Sequence, residues 1–301
     1  MKKWQIVLLV VVLSIGALGG YVYSQFRAID VEQLTPELWV LRGLGGNTAI
    51  LKTSAGTVAV DTMTLPLQGQ RIRDIAAELT GSDTVMLINT HYHFDHTHGN
   101  PAFAPGTRVL STERTLSHLE ALDADFWTGD AAALKPNETF TDRQQLTIGG
   151  QRIELLHPGR GHTDGDLVVH FVDQGAIHMG DLHFHHHYPN IDLEAGGSVQ
   201  QWSATIDNVL AMPFTRVIPG HGATTDRAGL QQFQAFIAQL ASIGTDAASR
   251  GISLEDTLAT TALTEDAQYS PISFLGFEGL NREFVLRRAW EEATGNFQRL
   301  N

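Results

Sequence analysis

Four of the six residues from His91 to His96 carry side chains that bind metal ions: His91, His93, Asp95 and His96. They follow an apolar run at residues 84–89 that reads as a buried strand. Side chains alternate along an extended segment, so His91 and His93 share one side. A helical turn after them would present Asp95 and His96 about a quarter-turn apart, aimed at a second point. That spacing suits two metals rather than one. Imidazole and carboxylate donors match Zn²⁺, with Fe²⁺ or Mn²⁺ as substitutes. Three later segments add one donor each. His162 lies in Gly161-His162-Thr163-Asp164-Gly165-Asp166, ahead of an apolar strand. Asp181 follows Gly180 at the end of a strand at 176–179, and His221 sits in Pro219-Gly220-His221-Gly222 after a short strand at 216–218. Each donor has a Gly beside it, where backbone must pass close to a bound ion.

Composition agrees. All 14 His residues lie between His91 and His221. There is no Cys, which excludes disulfides, thiolate metal ligands and thiol nucleophiles. The net charge of −13 argues against nucleic acid as a partner, because phosphate contacts need clustered Lys and Arg. No Gly-x-Ser-x-Gly elbow is present, so a serine nucleophile is not expected.

The elements that must position these residues alternate along the chain. Three short β-branched runs at 38–42, 48–53 and 57–61 read as an antiparallel meander. Apolar spacing predicts helices at 68–79, 112–122, 199–212, 230–243 and 281–293. Gly149-Gly150 marks a hairpin between 145–148 and 152–157. A short strand is expected at 109–110 and two more at 167–172 and 176–179, with a polar, Ala-rich connection at 123–137 and a Phe/Gly-rich loop at 274–279. The reading is one layered α/β domain from 30 to 246 with a C-terminal helical extension at 247–301, packed on the domain. Ahead of it, Lys2 and Lys3 precede 23 uncharged residues. Residues 1–27 therefore read as a signal peptide or as an N-terminal membrane anchor. Either one would place the body outside the cytoplasm, periplasmic or anchored facing outward.

H-x-H-x-D-H, the downstream His, Gly-Asp and Gly-His together resemble the metallo-β-lactamase superfamily, from about Leu38 to His221. The resemblance implies an αββα four-layer sandwich with a two-metal site at one edge. Carried over by residue, it assigns His91, His93 and His162 to a first zinc, and Asp95, His96 and His221 to a second, with Asp181 bridging both. The absence of Cys separates the chain from lactamases with a Cys ligand. Asp181 is similar to the bridging Asp of glyoxalase II-type and lactonase-type members. His93 stands where the flavodiiron branch has Glu. The stretch from Gly180 to Trp202 resembles a subgroup of exported β-lactamase-like hydrolases.

The implied chemistry is hydrolysis of an amide, thioester or lactone carbonyl in a small-molecule substrate, β-lactams among them, by hydroxide held between two zinc ions. Asp95 would also orient the nucleophile or shuttle its proton. The alternative is a non-catalytic or redox metal-binding module of the same fold at the outer face of a membrane. Of the other His residues, His98 and His157 are expected to be structural or supporting. His183, His185, His186 and His187 read as a solvated loop, with the substrate mouth as the functional alternative. Phe126, Trp127 and Tyr188 are candidates for an apolar wall. The C-terminal helix reads as a cap on the core, with the active-site mouth as its alternative position.

Overall fold

The computed structural model describes residues 27–274 and 277–297, together with Gln5 and Ser24. The expected N-terminal apolar helix falls outside these residues. Among the described residues, no helix is long and apolar enough to cross a membrane.

Two β-sheets lie face to face. The first has seven strands in sequence order: β1 (Asp30–Thr35), β2 (Leu38–Arg42), β3 (Thr48–Thr53), β4 (Gly56–Val60), β5 (Thr84–Ile88), β6 (Arg108–Thr112) and β7 (Glu138–Phe140). Strands β1 to β4 pair antiparallel, and β4 to β7 pair parallel. The second sheet has β8 (Arg143–Ile148), β9 (Gln151–Leu156), β10 (Val168–Phe171), β11 (Ala176–His178) and β12 (Arg216–Ile218), in the order β12-β11-β10-β9-β8. Only β11 and β12 pair parallel there.

Alternation along each strand explains the layers. Leu38 and Val40 of β2 face the second sheet, in a cluster with Leu155, Val169 and Phe171. Trp39 and Leu41 face the other way, against Ile72 and Ala76 of the helix Pro66–Thr80. On the far side, Val168 and Ile177 pack under Trp202, Phe233, Phe236 and Val285. These come from helices Val199–Leu210, Arg227–Arg250 and Arg282–Thr294. The order is helix, sheet, sheet, helix, as expected.

Several boundaries move. The helix expected at 230–243 runs from Arg227, capped by Asp226, to Arg250, and so crosses the proposed boundary at 246. Gly244, just past the expected end of that helix, is a contact: a Cβ there would lie 2.3 Å from the Ala289 carbonyl oxygen. Close approach of two helices therefore demands Gly inside the helix. Leu263, Val285, Leu286 and Ala289 join the core cluster under the second sheet, so the C-terminal helix does cap the core. The connection expected at 274–279 is a hairpin, β13 (Ile272–Phe274) and β14 (Phe277–Leu280). The connection at 123–137 contains a 3-10 turn, Gly129–Leu134, and buries Trp127 and Leu134.

Candidate metal centre

The seven expected donors converge at one edge of the sandwich. Chain continuing beyond parallel strand ends delivers most of them: β5 leads to His91, β11 to Asp181 and β12 to His221. Open α/β sheets present ligands at such carboxyl ends. His93 is the extended N-cap of a single helical turn, Phe94–Thr97, and that turn carries Asp95 and His96. The expected change from extended to helical chain therefore occurs between the two pairs of donors.

Two groups result. His91, His93, His162 and Asp181 form one, and Asp95, His96 and His221 form the other; within each, the donor atoms lie within 4.8 Å of one another. His93 Nδ1 is 3.1 Å from His91 Nε2 and 2.8 Å from His162 Nε2. Asp181 stands between the groups. Its Oδ2 is 3.8 Å from His91 Nε2 and 3.7 Å from His162 Nε2. Its Oδ1 is 3.0 Å from His96 Nε2 and 3.5 Å from His221 Nε2. Asp95 Oδ2 lies 3.3 Å from His221 Nε2. Gly220 makes room for this arrangement, since a Cβ there would fall 2.0 Å from Asp181 Oδ1. Gly46 does the same for His96, whose ring atoms would be 2.1 Å from an added Cβ.

The outward nitrogens of four imidazoles fix their tautomers. His162 Nδ1 donates to the Asn190 carbonyl at 2.9 Å. His93 Nε2 donates to Asp192 Oδ2 at 3.0 Å, and His96 Nδ1 donates to Asp61 Oδ2 at 2.7 Å. Thr90 Oγ1 donates to Asp61 and so accepts from His91 Nδ1 at 3.0 Å. Each inward nitrogen is thereby left as a lone pair. Lone pairs facing one another at these distances repel, and a cation between them would relieve that repulsion. His96 Nε2 and Asp181 Oδ1, both buried, make no hydrogen bond even though they are 3.0 Å apart. They point at a common place rather than at each other. Metal-ligating imidazoles characteristically have such outer partners, and the residues present fit a metal pair.

The electrostatics agree. Burial lowers the pKa of His91 well below the ordinary range, and the charge of His96 adds to this. Burial and His93 hold His162 to about 4, so both rings stay neutral. Burial acts the same way on His96 and His221, but the Asp181 and Asp95 carboxylates outweigh it. They raise His96 well above its usual value and His221 to about 9. Without an ion, the second group would therefore take up protons beside its two carboxylates. Metal binding there displaces protons.

Asp61 and Asp192 are the residues that sequence reasoning missed. Asp61 is fully buried, follows β4 and adopts a left-handed φ of 60°. Asp192 accepts from His93 and from the Tyr92 hydroxyl, and its other oxygen accepts from the Glu194 and Ala195 amides at 3.1 Å each. Asp192→Asn keeps the oxygen for those amides and turns an NH₂ towards His93 Nε2. The His93 proton must then move to Nδ1, which faces the other imidazoles. The expected result is a roughly 10- to 100-fold weaker zinc affinity at that group, read by chelator competition.

His98, His157, His183, His185 and His186 separate from the centre, whereas His187 borders it. His98 stacks on Phe126 at 3.4 Å and bonds Asp123 at 2.9 Å, while Trp127 bonds the same carboxylate at 2.8 Å. His98, Phe126 and Trp127 are therefore packed together as a supporting unit. His157 bonds the Asp166 carbonyl at 2.8 Å. His183 and Phe184 are buried, not solvated. His183, His185 and His186 line a separate cavity of about 200 Å³. His187 lines a cleft of about 540 Å³ that also contains Asp95 and His221. Tyr188 packs in the core and bonds Asp266 at 2.8 Å. Pro271 and Ile272 reach that cleft, so the C-terminal extension both caps the core and borders the site.

The chain matches the metallo-beta-lactamase superfamily over residues 41–221 and belongs to that family, whose members are generally metal-dependent hydrolases that bind zinc. It is 27% identical over 217 residues to the type 2 metallo-beta-lactamase of Bacillus cereus, an overlap of 68% of this chain and 80% of that protein. A metallo-beta-lactamase structure from Pontibacter korlensis superposes with a TM-score of 0.62 at 20% identity, covering 70% of this chain and 99% of that one. The stereoselective inverting sec-alkylsulfatase of a Pseudomonas species gives a TM-score of 0.73 at 15% identity, covering 89% of this chain and 51% of its own. That coverage exceeds what residues 1–246 can supply, so the fold likeness takes in part of the C-terminal extension.

Proposed function

We propose that this chain is a binuclear zinc hydrolase acting outside the cytoplasm on an amide, thioester or lactone bond, β-lactams included. The observation that carries the reading is the shared carboxylate: Asp181 turns one oxygen to each group of imidazoles. His91, His93 and His162 would hold one ion, and Asp95, His96 and His221 the other, with Asp181 on both. Iron or manganese in the same donors is the alternative metal content. Bound zinc supplies Lewis acidity and brings the pKa of water down towards about 7.

The chain's own residues do the rest. Asp61, Thr90, Asp192 and the Asn190 carbonyl hold the rings in their metal-facing tautomers. Burial of His91, His96 and His162 excludes bulk water from the inner side. Asp95 is partly exposed and borders the cleft where a substrate would lie. Burial raises its pKa, but His96 and His221 overcome this and bring it to about 2, so it is ionised at neutral pH. Its carboxylate would orient the attacking group and pass its proton on. Export rests on the basic pair Lys2-Lys3 and the uncharged stretch after it. Recovery of the chain in the cytoplasmic fraction would count against it.

The test uses the full chain reconstituted with zinc, wild type and His91→Ala. A chromogenic cephalosporin, a thioester and a lactone are offered side by side. The expected result is turnover of at least one, lost with the metal in the variant. Two zincs with no turnover of any would favour the non-catalytic module. Iron with visible absorption would favour the redox one.

A further inference from the structure

Alternation along β11 turns Ala176 towards the first sheet and Ile177 towards the helices, so His178 lies on the side between the sheets. Its imidazole is fully buried. A polar group in such a place is costly unless it is hydrogen-bonded. Both nitrogens are. The Gly180 amide donates to His178 Nδ1 at 3.1 Å, which leaves the proton on Nε2, and Nε2 donates to the Asn47 carbonyl at 3.1 Å. Burial lowers the pKa of His178, in keeping with a neutral imidazole.

These two bonds belong to a closed circuit. The Asn47 amide donates to the Gly220 carbonyl at 2.7 Å. The Gly220 amide donates to the Gly180 carbonyl at 2.8 Å, and also reaches the His183 carbonyl at 3.0 Å. Gly180 then donates back to His178. The four donors point the same way round, so each bond polarises the next. Gly180 precedes Asp181, and Gly220 precedes His221. The approach is close: a Cβ on Gly220 would lie 2.7 Å from the Gly180 carbonyl oxygen. Asn47 adds a second hold, since its side chain donates to the Pro219 and Gly222 carbonyls at 2.8 and 2.9 Å. Gly46, beside it, donates to the Asp95 carbonyl at 2.9 Å and lies against the His96 imidazole. One buried imidazole therefore supports a frame that meets the backbone at Asp95, Asp181 and His221.

We propose that His178 is a positioning residue that fixes Asp181 relative to His221, and with it the geometry of the Asp95–His96–His221 group. Both of its nitrogens are committed, so it acts on the centre through the Gly180 amide and the Asn47 carbonyl. The inference rests on the binuclear hydrolase reading for the ions and on the circuit alone for the positioning. An apolar side chain at 178 would take a partner from each of those backbone groups and open the circuit. Gln carries one acceptor and one set of donors, and can close it.

The test uses the full chain as wild type, His178→Leu, His178→Gln and Ile177→Val. Chelator competition should show zinc affinity at the Asp95–His96–His221 group about 10- to 100-fold weaker in His178→Leu, with the His91–His93–His162 group little changed. At saturating zinc, kcat should fall by about tenfold or more while KM stays nearly constant, because a misplaced ligand costs the transition state. His178→Gln should restore most of both. Ile177→Val disturbs the neighbouring core position and should lower the unfolding midpoint without moving zinc affinity. Proton–nitrogen correlation spectra of the histidine-labelled chain give a readout independent of turnover. His178 should carry its proton on Nε2, slow to exchange, with and without zinc. These spectra decide the case even where His178→Leu does not fold. A proton on Nδ1, unchanged zinc affinity in His178→Leu, or equal losses in the Leu and Gln variants would overturn the positioning role and leave the hydrolase standing. A loss of zinc affinity in His178→Leu that Gln restores, with no turnover of any substrate by the wild type, would overturn the hydrolase reading and leave the positioning role intact.

Discussion

Asp181→Ala is expected to bring zinc content from about two per chain to one or fewer, and to lower kcat/KM by roughly 10³-fold or more. Among the described residues, Asp181 is the one donor that faces both groups, through Oδ2 towards His91 and His162 and through Oδ1 towards His96 and His221. Its removal takes one ligand and one negative charge from each ion. The remaining imidazoles keep their outer partners, so the rings stay in place while the charge that gathers cations is halved. Thermal unfolding separates this loss from a general defect. Zinc should raise the midpoint of the wild type, because it binds only the folded chain. It should raise that of the variant much less. Two zincs per chain in Asp181→Ala would refute the bridging role.

The second large effect is expected at Asp61, a residue with no donor atom facing either metal group. Asp61 accepts three hydrogen bonds: from the Thr90 amide at 2.8 Å, from Thr90 Oγ1 at 2.7 Å and from His96 Nδ1 at 2.7 Å. Asp61→Ala leaves these buried donors without acceptors and should destabilise the fold by about 3–5 kcal/mol, at about 1–3 kcal/mol per unsatisfied group. Asp61→Asn is the more informative change. Asn tolerates the left-handed φ of 60° and fills the same space. Its oxygen still accepts from the Thr90 amide, and the Thr90 hydroxyl can turn to accept. The NH₂ group, however, now faces His96 Nδ1. That proton must move to Nε2, the nitrogen aimed at Asp181. Stability should change little, while zinc affinity at the Asp95–His96–His221 group falls by about 100-fold, which chelator competition reads directly. Equal losses of stability and affinity in Asp61→Asn would contradict the tautomer argument.

The contrast between Asp181 and Asp61 shows what the sequence could reveal. The donors are legible because local spacing places them: His91, His93, Asp95 and His96 fall in a span of six residues just after a buried strand, and Asp181 and His221 follow strand ends beside Gly. Their partners are not. Asp61 reaches His96 from 35 positions away, and Asp192 reaches His93 from 99. Nothing in the spacing of either marks it apart from an ordinary acidic residue. Buried apolar strands such as β2, β3, β4 and β5 were read well, while β1 was not. Its Asp30, Glu32 and Gln33 suit the edge of a sheet, where pairing rather than burial defines the strand. The helix expected to end at 243 continues through Gly244, where the approach of Ala289 rewards the missing side chain. The cleft was beyond reach for the same reason as Asp61. Phe94 belongs to the motif, but Pro271 and Ile272 come from nearly 180 residues later.

The central claim is that two metal ions share Asp181. Its most direct test is a zinc-loaded crystal of the full chain, with anomalous scattering measured at the zinc edge. Two peaks about 3.5–4 Å apart are expected. One should lie among His91, His93 and His162, the other among Asp95, His96 and His221, with Asp181 within bonding distance of both. A single peak, or two with Asp181 bound to neither, would contradict the account.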